Sequence, residues 1–125
     1  MAQILIIEDD SQLLQLLDVA FRKHGHSVTT ALNGEKALAI IKAKSIDVVI
    51  TDIIMPDFDG LELLNALAEI HPRPTVIAMS GGSQRIDSNL MLATAKHLKA
   101  DMLIPKPVTP SQLLEAVDKV LQKDL

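Results

Sequence analysis

Five short β-prone runs are spaced along the chain, and each is followed by a polar turn and then by a stretch with helical periodicity. Ile4-Leu5-Ile6-Ile7 contains no polar residue, so a strand formed there must be covered on both faces rather than on one. Val28 to Ala31, Ile46 to Thr51, Thr75 to Met79 and Met102 to Ile104 supply the other four strands. Strands separated by helix-length segments cannot pair as hairpins, and a parallel sheet with crossover helices is the remaining solution.

The intervening segments carry their own start and stop signals. Leu13, Leu16, Leu17, Ala20 and Phe21 form an apolar stripe, with Asp10 or Ser11 placed to cap its start and Gly25 its end. Asn33-Gly34 opens a second helix carrying Ala37, Leu38 and Ile41, with Lys42 and Lys44 near its negative end. Asp52 to Asp59 reads as a polar turn, followed by a helix of Leu61, Leu64, Leu67 and Ala68 that Pro72 stops. Ser80-Gly81-Gly82-Ser83 reads as a loop, and Leu90 to Leu98 has the apolar content of a fourth helix. The last helix opens with Thr109 as N-cap, Pro110 at its first position and Gln112 at its third, a capping-box arrangement, and buries Leu113, Leu114, Val117, Val120 and Leu121.

Five strands alternating with five helices predict a flavodoxin-like α/β domain, three layers deep, with strand order 2-1-3-4-5 and right-handed crossovers. In such a sheet, strands one and three are neighbours, and ligands sit in the crevice outside their C-terminal ends. At 125 residues, nearly half of them hydrophobic and with no linker-like stretch, residues 1–125 read as one domain. A net charge of -4 and a pI near 5.4 provide no broad basic field, which argues against direct nucleic-acid binding. Without cysteine there is no disulfide or thiolate chemistry, and with no signal-peptide pattern and no apolar run near ~20 residues the expectation is a cytoplasmic protein without a membrane segment.

The residues that follow the strands are polar at nearly every end: Glu8-Asp9-Asp10 after the first, Asp52 after the third, Ser80 after the fourth and Lys106 after the fifth. Carboxylates converging on one sheet edge repel unless a cation joins them, and a hard, oxygen-rich site suits Mg2+. A carboxylate such as Asp52 can then accept a phosphoryl group if the charge on the transferred oxygens is neutralised. Lys106 offers a mobile point charge for that purpose, and the Ser80 hydroxyl a hydrogen bond. Taken singly, these residues have plainer explanations: a helix cap, a turn former, a loop lysine. His24, His26, His71 and His97 have no metal-site spacing and read as surface histidines.

Ile6-Ile7-Glu8-Asp9-Asp10, the segment from Asp52 to Gly60, Met79-Ser80-Gly81 and Lys106-Pro107 together resemble the blocks of response-regulator receiver domains, in order and over essentially the whole chain. That resemblance implies a chemotaxis-regulator-like, stand-alone signalling switch with Asp52 as phosphoacceptor. It also implies that Asp9 is a direct Mg2+ ligand, Glu8 a ligand through water and the Ile54 backbone carbonyl a further ligand. Lys106 would pair with the phosphoryl group across a cis peptide to Pro107, and Ser80 would move toward it. The donor would be a histidine kinase or a histidine-phosphotransfer protein, and the reader another protein. The start at Met1 and the end at Leu125, just past the last helix, fit a complete protein with no output module.

Two places depart from the family pattern. Leu103 occupies the position where many receivers carry an aromatic switch residue three before the lysine, and Val108 stands where Phe often follows Lys-Pro. Ile54 and Gly82, two residues after Asp52 and Ser80, cannot orient a water with their side chains, which implies slow self-dephosphorylation. An aspartate-dependent phosphatase or phosphotransferase is the competing enzyme class, but it resembles a pattern with the nucleophile after strand one and a general-acid Asp two residues on. Here Ile54 follows Asp52 by two. A receiver-like module that binds partners without phosphorylation is the other alternative, expected when the acidic pair, the Ser or the Lys is lost; all are present.

Overall fold

A computed structural model describes residues 2–52, 60–80 and 100–122. In chain order the elements are β1 (Gln3–Ile7), α1 (Ser11–Lys23), β2 (Ser27–Ala31), α2 (Gly34–Ala43), β3 (Val48–Asp52), α3 (Gly60–Ala68), β4 (Thr75–Ser80), β5 (Met102–Pro105) and a C-terminal helix (Pro110–Gln122). The five strands form one sheet in the order β2-β1-β3-β4-β5, and every neighbouring pair is parallel. The expected loop at 81–83 and helix at Leu90 to Leu98 lie outside the described residues, as do residues 53–59 of the turn after Asp52.

The polar-free run in β1 is explained by the two cores it separates. Ile4 and Ile6 pack with Val48, Ile50, Ile77 and Met79 beneath α1 and the C-terminal helix, while Leu5 and Ile7 pack with Val49 and Val76 beneath α2 and α3. All four β1 side chains are fully buried. Each contributes roughly 1.5–3 kcal/mol by leaving water.

The helix ends follow their local signals. Asp10 caps α1 by accepting the N–H groups of Gln12 and Leu13, and Asn33 caps α2 by accepting that of Lys36. After α1 the chain reverses through Gly25 at φ 86°, a left-handed conformation that costs glycine little. The capping box is complete: Gln112 N–H donates to Thr109 Oγ1 at 3.2 Å, and Thr109 N–H donates to Gln112 Oε1 at 2.9 Å.

Several expectations need correction. On α1 the buried line is Leu14, Leu17 and Phe21, while Leu16 is 57% exposed. Leu16 lies roughly 200° around the helix from Leu14, so both cannot face the sheet. On α3 the buried pair is Leu63 and Leu67, one turn apart, and Ala68 is exposed. The side chains of Leu61 and Leu64 are not among those described. The helix also ends at Ala68, ahead of Pro72, where Glu69 and Ile70 N–H groups tighten onto the Ala66 and Leu67 carbonyls. Strand β3 begins at Val48 rather than Ile46, because Asp47 serves as a clamp. Its backbone N–H donates to the Gln3 carbonyl, its carboxylate accepts the Gln3 N–H at 2.8 Å, and its carbonyl accepts the Thr75 N–H.

Leu14 and Leu16 should respond differently to truncation. Leu14→Ala is expected to lower stability by about 2–4 kcal/mol, the cost of emptying a core site, whereas Leu16→Ala should change it by no more than about 0.5 kcal/mol. Urea unfolding of the two variants, followed by far-ultraviolet circular dichroism, checks the contrast.

Candidate functional site

Alternation along the strands decides which residues meet. Ile4 and Ile6 of β1, Val48 and Ile50 of β3, and Met102 and Ile104 of β5 all belong to the core layer under α1 and the C-terminal helix. One further step of two along each strand reaches Glu8, Asp52 and Lys106, so all three are delivered to the same face at the C-terminal edge. Asp9, with the opposite parity, is exposed at the rim.

Glu8 extends the β1 pairing by one residue, its N–H donating to the Ala31 carbonyl at 3.1 Å, and its side chain is fully buried. A buried carboxylate must have both oxygens satisfied. Glu8 Oε1 accepts from Lys106 Nζ at 2.7 Å, and Oε2 accepts the Asp10 N–H at 3.1 Å. Lys106 Nζ also donates to Asp52 Oδ2 at 2.8 Å, so one ammonium bridges carboxylates from two neighbouring strands. Beside Asp52, the buried Thr51 hydroxyl donates to the Asp52 carbonyl at 3.0 Å.

The electrostatics follow from this packing. Burial pushes the Glu8 carboxyl above its usual value, against the opposing pull of the Lys106 ammonium. Burial alone would lower Lys106, but its hydrogen bonds to Asp52 and Glu8 more than compensate and hold the ammonium above the ordinary lysine value. Lys106 is therefore a fixed positive charge at neutral pH.

One carboxylate oxygen from each of Glu8, Asp9 and Asp52 lies within 4.8 Å of the others. An all-oxygen, acid-rich set of that span fits a hard divalent cation such as Mg2+. Asp10 is taken up instead by capping α1. Of the other expected site residues, Ser80 ends β4 opposite Pro105, with its side chain not described, and Ile54 lies outside the described residues, as does Gly82. Lys106-Pro107 is a cis peptide bond, as the family resemblance implied. Leu103 is half-buried on β5, paired with Ala78.

The response regulator receiver domain family matches residues 4–118. The chain belongs to this family. It is thus a receiver domain of the two-component class, whose members are phosphorylation-dependent signalling switches. The transcriptional regulatory protein CpxR of Escherichia coli K12 is 32% identical over 123 residues, which cover 98% of this chain and 50% of that protein. This receiver chain therefore spans about half the length of that relative. A CheY-like response regulator receiver domain protein from Methanospirillum hungatei JF-1 superposes with a TM-score of 0.85 at 28% identity, covering 98% of this chain and 95% of its own. The chemotaxis response regulator CheY4 of Vibrio cholerae gives 0.84 at 25% identity, covering 96% and 98%. Among the described residues of the receiver, no helix is long and apolar enough to cross a membrane.

The strand-end pattern does not by itself show the ion pair between Glu8 and Lys106, which stands beside the assignment of the lysine to a phosphoryl group and of Glu8 to a metal. The alternating positions 4-6-8 and 102-104-106 carry its signal. His26 corrects the expectation of four surface histidines. It is half-buried, packs against Phe21 with ring centroids 5.9 Å apart, and accepts the Ala2 N–H at Nδ1.

Burial holds the His26 ring below the usual imidazole value, assisted by neighbouring positive charge and opposed by Asp118. The unfolded chain takes up a proton near pH 6.5 and the folded chain resists, so stability is expected to fall as pH drops below about 6.5. Urea midpoints between pH 7.5 and 5, for wild type and His26→Gln, check this. The variant should show the smaller decline, and identical slopes would contradict the assignment.

Proposed function

We propose that the protein takes a phosphoryl group on Asp52 from a phosphohistidine of a histidine kinase or histidine-phosphotransfer protein, and signals by presenting an altered surface to another protein. The observation that carries this is the meeting of Asp52 with Glu8, Asp9 and Lys106 at the C-terminal edge of β1, β3 and β5. An oxygen of the Asp52 carboxylate attacks phosphorus, the phosphorus–nitrogen bond to the donor imidazole breaks, and the imidazole nitrogen leaves with the bonding pair.

Lys106, already at hydrogen-bond distance from Asp52, would offset charge on the transferred oxygens. Ser80, at the end of β4, would supply a hydroxyl to one of them. Glu8, Asp9, Asp52 and the Ile54 carbonyl would hold Mg2+, which when bound supplies further neutralisation of phosphoryl charge. The group that reacts is the protein's own side chain, so the chemistry is self-modification and hydrolysis of its own acyl phosphate rather than turnover of an external substrate. Residues 1–125 act as one receiver unit in the cytoplasm, through protein contacts and without direct binding to nucleic acid or membrane.

Incubation with acetyl phosphate, with and without Mg2+, followed by intact mass measurement tests this. The protein is expected to gain one phosphoryl group only when Mg2+ is present. Absence of uptake in either condition, with magnesium bound, would favour the alternative of a partner-binding module that works without phosphorylation.

A further inference from the structure

Strand β3 reads Val48-Val49-Ile50-Thr51-Asp52, and every one of these residues is buried. Side chains alternate along a strand, so Thr51 follows Val49 into the layer beneath α2 and α3, on the opposite face from the Asp52 carboxylate. Its neighbours across the sheet are Ile7 and Ala78, both buried and neither able to form a hydrogen bond with its side chain. A valine would fill the same space, and a hydroxyl left unpaired there would cost stability. The hydroxyl is paired: Thr51 Oγ1 donates to the Asp52 backbone carbonyl at 3.0 Å.

We propose that Thr51 is a positioning residue for Asp52: from the far face of the sheet, its hydroxyl fixes the backbone from which the reacting carboxylate projects. This rests on Asp52 being the phosphoacceptor, as proposed above. Asp52 is the last residue of β3, where the support of the ladder runs out. The register with β1 ends at the Ile7–Thr51 pair, and that with β4 ends at Asp52 opposite Met79. Element ends fray, and a carboxylate on a fraying residue samples a range of directions. The sheet holds the amide side of Asp52 and the Thr51 hydroxyl holds its carbonyl side, so the Cα between them is pinned. The carboxylate then stays beside Lys106, with Oδ2 2.8 Å from Nζ. Attack on phosphorus needs an oxygen in line with the breaking bond, and a misplacement of about 1 Å costs about a hundredfold in rate. Thr51, on the opposite face, acts through Asp52 and does not touch the phosphoryl group.

The test compares two pairs of proteins that differ by the hydroxyl at nearly constant shape, wild type with Thr51→Val and Thr51→Ser with Thr51→Ala. Phosphoryl uptake from acetyl phosphate under Mg2+ is followed by intact mass over a range of donor concentrations, beside urea unfolding curves. Thr51→Val should lower the limiting rate by about ten- to a hundredfold and leave the half-saturating donor concentration within about twofold. Thr51→Ser loses a buried methyl but keeps the hydroxyl, and should stay within about threefold of wild type, with Thr51→Ala slower again by about tenfold or more. Rates that group by size, with Thr51→Ser and Thr51→Ala both below wild type and Thr51→Val, would make the residue a packing element and overturn the proposal. Equal rates in all of them would overturn it too. The Thr51→Ser and Thr51→Ala pair decides even if Thr51→Val fails to fold. Uptake that is absent in wild type, or that survives in Asp52→Asn, would instead remove Asp52 as acceptor, and the proposal with it.

Discussion

Asp52→Asn is expected to reduce phosphoryl uptake from acetyl phosphate by at least about a thousand-fold, the scale seen when a nucleophile is removed from its site. An amide oxygen is too weak a nucleophile at phosphorus, and of the two described carboxylates that touch the Lys106 ammonium, Glu8 is fully shielded from solvent. The substitution preserves shape, and the amide oxygen can still accept from Lys106 Nζ. Stability should therefore change by no more than about 1 kcal/mol, which separates lost chemistry from lost folding. The rate of mass gain under magnesium, beside a urea unfolding curve, measures both. Uptake at the wild-type rate would move the acceptor elsewhere.

Lys106→Met is expected to be the most destabilising change at the site. It leaves Glu8, fully buried, without its counter-charge and facing Asp52. Removing one partner of a buried ion pair costs about 3–5 kcal/mol, and the residual exposure of Lys106 and Asp52 brings the expectation to about 2–3 kcal/mol at pH 7. The pH dependence gives a second signature. Burial already holds Glu8 above the ordinary carboxylate value, and without the lysine it rises further. A group whose folded value lies above its unfolded one stabilises at low pH and loses that contribution as pH rises through the folded value. The deficit of the variant should therefore shrink as pH is lowered from 7 toward 5. A deficit that is flat with pH would mean Glu8 does not depend on Lys106.

The sheet was legible in the sequence because its information is local. Polar-free strands, a Thr-Pro-Ser-Gln capping box and polar residues at strand ends each depend on a few neighbours, and together they place the crevice. The buried faces of the helices were less legible. Leu13, Leu14, Leu16 and Leu17 are all leucine, so composition cannot choose the line that meets the sheet, and packing selects Leu14, Leu17 and Phe21.

Asp47 and Asp101 show a second limit. Each precedes a strand and takes an amide at the start of its neighbour, that of Gln3, the first residue of β1, in one case and that of Val76, the second residue of β4, in the other, with Asp101 also paired to Arg73. Nothing in the local pattern distinguishes such a clamp from a turn aspartate until the neighbouring strand is known. The same holds for Glu8 and Lys106, ninety-eight residues apart in sequence. Alternation puts both on one face, but only the parallel register brings them to 2.7 Å.

The central claim is that Asp52 carries the phosphoryl group. An acyl phosphate is reduced by borohydride to the alcohol, which turns a phosphorylated aspartate into homoserine and marks the site covalently. The protein would be phosphorylated with acetyl phosphate and Mg2+, reduced, digested and sequenced by mass spectrometry. Homoserine at position 52 and nowhere else is the predicted result; homoserine at Asp9, Asp57 or Asp59 with Asp52 intact would contradict it.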